Sequence, residues 1–187
     1  MAGAEGRDGS AHSGAHAGAW DQNRASPVVL RLLPYVEHPP CRVLVPGAGA
    51  GHEAAALNAR GYVVTALEGL HPERVFPADP RDFLSADCGE PFDMLCERGL
   101  FATLPPSRRE AYVAAAARAL RPGGRLFGFF LDFDPDGAGV PPPPYGVSAN
   151  ELLHRFGAAF DVQRLEPSAF LVPGLGVPQL EAVFVRR

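Results

Sequence analysis

Apolar residues along the chain fall into two patterns, short unbroken runs and positions at helical spacing. The unbroken runs predict buried strands, and the helical spacing predicts helices that cover them. The predicted strands are residues 42–46, 62–67, 92–96, 125–132, 160–165 and 179–185, and the predicted helices are residues 27–36, 52–60, 107–120 and 148–156.

This alternation of strand and helix predicts a Rossmann-like, doubly wound α/β domain whose sheet is mostly parallel and includes an antiparallel C-terminal strand. Strand 125–132 is apolar on both faces, so we expect it to lie centrally. Residues 70–83 contain several prolines, which favour a loop with a short strand at 74–76 over a crossover helix. The fold is therefore expected to be shortened between its second and third strands.

Two of the predicted helices begin with a capping box, a serine followed three residues later by a glutamate. One helix opens at Ser107 with Glu110, and the other opens at Ser148 with Glu151. We therefore expect each serine to accept a hydrogen bond from a backbone amide of the first turn.

Length and composition predict a single domain. The chain has 187 residues, 47% of them hydrophobic, which suits one globular core. Residues 1–17 are rich in Gly, Ala, Ser and His and are expected to form a disordered tail without the apolar segment of a signal peptide. The predicted domain then covers residues 18–187.

Charge and cysteine content exclude several classes of partner. The net charge of −4 does not favour nucleic acid or an anionic membrane. No apolar run reaches the roughly 20 residues of a membrane helix. Cys41, Cys88 and Cys96 are odd in number and lack metal-type spacing, so we expect no disulfide framework and no metal site. A cytoplasmic monomer that acts on a small molecule fits these features.

A glycine-rich turn follows the first predicted strand. Pro46 is followed by Gly47, Gly49 and Gly51, and His52 occupies the position where a dinucleotide fingerprint requires its third glycine. The pattern G-x-G-x-G, in which missing side chains let a ligand approach the backbone, is typical of an adenosine cofactor without a pyrophosphate. Close packing of a helix against a strand is the alternative explanation.

Polar residues follow the next two strands. Glu68 ends the second strand, where a carboxylate can accept hydrogen bonds from both ribose hydroxyls; the alternative is a solvated strand-end side chain. Because ligands of open α/β sheets bind beyond the carboxyl ends of the strands, the same rim should hold two further pairs. Asp82 and Phe83 suit an adenine ring, and Arg98, after Glu97, suits a carboxylate. Surface turns are the alternative for both pairs.

Several motifs together resemble the thiopurine methyltransferase superfamily, which includes thiol and halide methyltransferases. The motifs are Trp20-Asp-Gln, Pro46-Gly-Ala-Gly-Ala-Gly-His-Glu53, Arg81-Asp-Phe-Leu84, Glu97-Arg-Gly, Leu120-Arg-Pro-Gly-Gly124 and Pro143-Pro-Tyr-Gly-Val-Ser148. The resemblance extends from about residue 20 to the C-terminus and implies binding of S-adenosylmethionine. The residues it implies for the cofactor are Trp20, Pro46, Gly47, Gly49, Gly51, Glu68, Asp82, Phe83, Glu97 and Arg98, with Glu97 in place of the family's aspartate.

The acceptor side is predicted from Trp20, which the resemblance places over the methyl donor, and from an apolar segment at residues 169–176 that includes Phe170. Tyr145 either caps the acceptor pocket or orders its loop. No buried histidine–carboxylate base is evident, and no catalytic residue is assigned. We therefore expect methyl transfer to a small or aromatic thiol or a halide, since soft nucleophiles need little base assistance.

Three alternatives stay open at this point. The chain could be a catalytically silent protein with the same fold that serves as a binding partner, an interpretation favoured by the shortened segment after Glu68. It could methylate oxygen or nitrogen of a small molecule. An NAD-dependent reductase is disfavoured by His52 and by the absence of any lysine in the sequence.

Overall fold

A computed structural model describes residues 23–68, 73–134 and 139–187. The predicted tail at residues 1–17 and Trp20 lie outside the described residues. Six strands form one sheet in the order β2-β1-β3-β4-β6-β5. The strands are β1 (Arg42–Val45), β2 (Val63–Ala66), β3 (Phe92–Glu97), β4 (Leu120–Leu131), β5 (Phe160–Pro167) and β6 (Gln179–Arg186).

The strand directions confirm the predicted fold class. β1 pairs in parallel with both β2 and β3, and β3 pairs in parallel with β4. β6 is antiparallel to β4 and to β5. β4 lies inside the sheet as its apolar sequence predicts, and six of its last seven residues are buried.

Helices cover both faces of the sheet. They are α1 (Pro27–Leu32), α2 (His52–Asn58), α3 (Leu100–Thr103), α4 (Arg109–Ala119) and α5 (Ala149–Phe156), with short 3₁₀ turns at Leu33–Tyr35 and Pro106–Arg108. One buried cluster joins α4 and α5 to the sheet through aromatic rings, and the other joins α1 and α2 to its opposite face through aliphatic side chains. Within the described residues, no helix is long and apolar enough to cross a membrane.

One predicted capping box forms and the other does not. The Ser148 side chain accepts a hydrogen bond from the backbone amide of Glu151 at 3.2 Å, as predicted. The prediction for Ser107 was wrong, because this residue lies inside the 3₁₀ turn and α4 begins at Arg109 without a side-chain cap. Local 3₁₀ geometry places the serine within the turn and so removes it from the N-cap position.

The proline-rich segment after Glu68 is anchored by backbone hydrogen bonds and contains no strand at 74–76, contrary to the prediction. The Val75 amide donates to the Ala50 carbonyl at 2.8 Å, and the Glu68 amide donates to the Asp79 carbonyl at 2.8 Å. Among the described residues of this segment, one bridge, from Leu67 to Asp79, continues the sheet. Prolines on either side of this point lack the amide hydrogens that a longer ladder requires.

At Gly128, the backbone of β4 lies too close to β3 to leave room for a side chain. A Cβ at this position would lie 1.8 Å from the carbonyl oxygen of Glu97, whereas a Cβ at Gly89 would meet nothing within 4 Å. We expect Gly128→Ala to lower the free energy of unfolding by more than about 3 kcal/mol and Gly89→Ala by about 1 kcal/mol, measured by urea denaturation. Equal losses in the two variants would contradict this packing.

Candidate cofactor and acceptor site

Two glycines of the turn after β1 are covered by the loop that follows β3. Gly47 and Gly49 have φ angles of +60° and +56°, which favour glycine. A Cβ on Gly47 would lie 2.8 Å from the Cβ of Leu100, and a Cβ on Gly49 would lie 3.0 Å from Nη1 of Arg98. The two loops therefore approach closely because neither glycine carries a side chain.

Gly51 contacts the proline-rich segment after β2 instead of the loop after β3. It is the N-cap residue of α2, with φ of +89°, and a Cβ there would lie 2.8 Å from the Cβ of Phe76. The third glycine is therefore required by the proline-rich segment, which also bonds to the neighbouring Ala50 carbonyl. Close packing, the alternative explanation of the motif, thus accounts for the missing side chain at all three glycines, and cofactor binding by Gly47, Gly49 and Gly51 stays a prediction.

Glu68 lies at the carboxyl end of β2 and is hydrogen-bonded to two other predicted cofactor residues. Its Oε2 accepts from the Gly47 amide at 3.1 Å. Burial raises the pKa of Glu68, hydrogen bonds from the Gly47 and Phe83 amides lower it, and the carboxylate of Asp82 adds to the rise. Its φ of +56° is a strained conformation for a residue other than glycine, of the kind that clusters at functional sites.

Asp82 reaches this site through its carboxylate, and Phe83 reaches it through its backbone amide. The Phe83 ring is 1% exposed and lies 5.6 Å from the ring of Tyr112, centroid to centroid, so it belongs to the core. The Asp82 carboxylate accepts from the Leu84 amide and, at 3.0 Å, from the Ser85 hydroxyl. The sequence predicted that the Phe83 ring flanks an adenine. In the structure the ring packs against α4 instead, and the backbone amide of Phe83 bonds to Glu68.

Glu97 also differs from its predicted role. Its carboxylate is fully buried and accepts hydrogen bonds from the Gly99 amide at 2.5 Å, from the Phe101 amide at 3.3 Å and from the Tyr112 hydroxyl. The side chain therefore caps the start of α3 and faces the core instead of the cofactor rim. Burial raises the pKa of Glu97 to about 7, against the opposing effect of these hydrogen bonds.

Arg98 points the other way, toward the glycine turn. Its Nε lies 3.0 Å from Oε2 of Glu53, and the two side chains are 14% and 3% exposed. The other oxygen of Glu53 accepts from the backbone amide of Ser26 at 3.0 Å. Ser26 is the N-cap of α1, so one buried carboxylate connects that helix to the predicted cofactor arginine.

An apolar cavity of about 150 Å³ lies beside Ser26, at the carboxyl end of β4. Its floor includes Phe129, and its walls come from the start of α1 and from residues 170–173. Its lining, within the described part of the chain, contains no histidine and no carboxylate. The lining residues are Arg24, Ser26, Pro27, Val28, Phe129, Phe170, Leu171, Val172, Pro173 and Gln179.

Phe170, predicted on the acceptor side, lines this cavity and is 41% exposed. Its amide donates to the Ser168 hydroxyl at 3.1 Å, its carbonyl accepts from the Gln179 side chain at 3.1 Å, and the Arg31 guanidinium lies over its ring at 5.5 Å. Tyr145 is not among the lining residues. Its amide and carbonyl are hydrogen-bonded to Ala102 and to Arg109, which favours the loop-ordering alternative.

A second cavity, of about 250 Å³, lies between α4 and residues 85–89. It is larger, but its lining residues come from the loop before β3 and from the last turns of α4, which lead into the amino ends of β3 and β4. Ligands of open α/β sheets bind at the carboxyl ends, where the glycine turn, Glu68 and Arg98 are found. The smaller cavity is therefore the better candidate for an acceptor.

Sequence reasoning missed Glu53, Phe129 and Gln179. Glu53 carries a recognisable signal, because it lies four residues before the buried Leu57 and so shares the buried face of α2. A carboxylate on that face requires a polar partner. Phe129 and Gln179 depend on the pairing of β4 with β6, which no local pattern specifies.

Solved structures share this architecture. The 1,6-didemethyltoxoflavin-N1-methyltransferase of Burkholderia thailandensis superposes with a TM-score of 0.69 and 22% identity, over 86% of this chain and 76% of that one. At this identity the similarity establishes the fold, which is the class I fold of S-adenosylmethionine-dependent methyltransferases.

The sequence comparisons identify the family. Residues 80–183 match the family model "Thiopurine S-methyltransferase", and the chain belongs to this family. Thiocyanate methyltransferase 1 of Brassica oleracea is 30% identical over 146 residues, which are 70% of this chain and 63% of that protein. Probable thiol methyltransferase 2 of Arabidopsis thaliana is 27% identical over 71% of this chain and 63% of that protein. The chain thus spans less than two thirds of the length of these curated relatives.

The buried Glu97 predicts a pH dependence of stability. With its pKa near 7 in the folded protein and an ordinary value of 4.5 when unfolded, the folded state binds more protons between these pH values. The free energy of unfolding should therefore fall as the pH rises from 4.5 to 7, by up to about 3 kcal/mol from this group. Glu97→Gln should remove that part of the slope in urea denaturation; identical slopes for variant and wild type would contradict the assignment.

Proposed function

We propose that the protein is an S-adenosylmethionine-dependent methyltransferase whose acceptor is a small or aromatic thiol or a halide. The observation that carries the proposal is the position of the apolar cavity. Ser26 lines it and bonds to Glu53, which pairs with Arg98 beside Gly49. The cavity is thereby connected to the glycine turn through two side chains.

The residues at the glycine turn fit the cofactor. Glu68 accepts hydrogen bonds from two backbone amides and is hydrogen-bonded to the side chain of Asp82; because a carboxylate has about four acceptor positions, capacity remains for a ribose hydroxyl. Arg98 carries a planar guanidinium suited to the methionyl carboxylate. When bound, S-adenosylmethionine supplies an electrophilic methyl group on a sulfonium.

The cavity walls favour a nucleophile that arrives as an anion. Apolar side chains remove water from it, and a charge in such surroundings interacts more strongly with neighbouring charges. Arg24 at the edge of the cavity contributes a positive charge. Because no carboxylate or histidine lines the described cavity, a hydroxyl acceptor would have no base to take its proton. The contribution of these residues is therefore alignment and desolvation.

The proposal includes the cellular compartment of the protein and the class of its substrate. Cys41, Cys88 and Cys96 are free, and burial raises the pKa of each thiol. Thiols held in this state suit the reducing cytoplasm. The net charge of −4 suits a small-molecule substrate better than nucleic acid or a membrane surface. A monomeric state stays a prediction.

Transfer of a labelled methyl group from S-adenosylmethionine tests the proposed acceptor class. We expect methylation of aromatic thiols, sulfide and iodide, with matched phenols at least about tenfold slower near neutral pH, because the pKa of a phenol exceeds even that of an alkyl thiol by about 1.5 units. His154, which is exposed on α5, provides a control, since His154→Ala should leave the rate unchanged. Faster methylation of the phenols would contradict the acceptor class. Cofactor binding without transfer to any acceptor would favour a silent partner protein.

A further inference from the structure

We propose that Glu53 is a positioning residue that orients Arg98 toward the amino-acid end of the cofactor. This inference rests on the proposed function. It starts from the two contacts of a carboxylate that is 3% exposed: Oε2 lies 3.0 Å from Nε of Arg98, and Oε1 lies 3.0 Å from the amide nitrogen of Ser26. Both oxygens are thus engaged by groups distant in sequence.

The contact with Ser26 fixes the carboxylate itself. Ser26 caps α1 with its hydroxyl, which accepts from the Val28 amide at 3.3 Å, while its own amide donates to Glu53. α1 is held in turn by Val28, Val29 and Leu32, each at most 1% exposed. The Glu53 side chain is therefore held by a backbone group of a well-packed helix.

The contact with Arg98 then determines where the guanidinium points. Glu53 engages Nε, and Nη1 of the same group lies 3.0 Å from the position a Cβ on Gly49 would occupy. The outer edge of the guanidinium therefore faces the glycine turn, where it can bind a carboxylate. Loss of Glu53 would remove one of the contacts that restrict the rotamers of this long side chain, and ordering such a side chain costs entropy.

If only the charge of Glu53 mattered, its removal would have the opposite effect on binding of a carboxylate ligand. Glu53 is an anion, so its negative charge opposes binding of a second carboxylate at Arg98. If Glu53 served only to balance charge, Glu53→Gln would strengthen binding of a carboxylate ligand. If Glu53 positions Arg98, the same substitution weakens binding despite the removal of the negative charge. The direction of the change separates the two roles.

Calorimetric titration with two ligands tests this role. S-adenosylhomocysteine has the amino-acid end, and 5′-methylthioadenosine keeps the adenosine but lacks that end. We expect Glu53→Gln to raise the Kd of S-adenosylhomocysteine about tenfold to a hundredfold, as for the breaking of a buried ion pair, and to change the Kd of 5′-methylthioadenosine less than about threefold. Arg98→Gln should show the same selectivity, and the double variant should add little to it.

A matched control removes a carboxylate from ion pairs with the amino-terminal half of β4, at the end of the sheet away from the glycine turn. Glu37 pairs with Arg121 and Arg125, and Glu37→Gln should leave both affinities unchanged. An equal loss for both ligands in Glu53→Gln would show general damage to the fold and overturn the proposal, as would unchanged or tighter binding of S-adenosylhomocysteine. If the wild type bound neither ligand, the proposed function would fail as well, which is a distinct result.

Discussion

The close approach of two loops at the carboxyl edge of the sheet is the constraint on which the site depends. The turn after β1 and the loop after β3 can touch only because Gly47 and Gly49 have no side chains, and Leu100 and Arg98 occupy the space that side chains would need. Their positive φ angles come at little steric cost to glycine. The contact between the two loops places Arg98 next to the glycine turn. The Gly47 amide donates a hydrogen bond to Glu68, which brings the end of β2 to the same site.

Two glutamates hold this arrangement from opposite sides. Glu97 faces the core, where it caps α3 and accepts from Tyr112, and thereby fixes the loop after β3. Glu53 faces the other way, where it pairs with Arg98 and joins the start of α1. Each is buried and each has hydrogen-bonded or charged partners, as burial of a carboxylate requires. The predicted cofactor site is therefore shaped by carboxylates whose side chains point away from it.

Much of the fold and part of the candidate site were predictable from the sequence, because local patterns indicate the strands, the glycine turn and the position of Glu68. The order of the strands and the position of β4 follow from general rules of α/β folds. The orientations of Glu97 and Phe83 did not follow, since both side chains turn toward the core to meet Tyr112, which is distant in sequence on α4. The cavity was partly foreseen, because Phe170 was predicted, but its floor depends on the pairing of β4 with β6.

We infer that the carboxyl ends of β1, β2 and β3 bind the adenosine cofactor. Amide hydrogen exchange with and without S-adenosylhomocysteine tests this assignment, because exchange slows where a bound ligand reduces local opening. We expect slower exchange at residues 47–51, at Glu68 and Phe83 and in the loop at 98–100, with little change in β5. Protection confined to α4 and residues 85–89, around the larger cavity, or no protection at all would rule out this site.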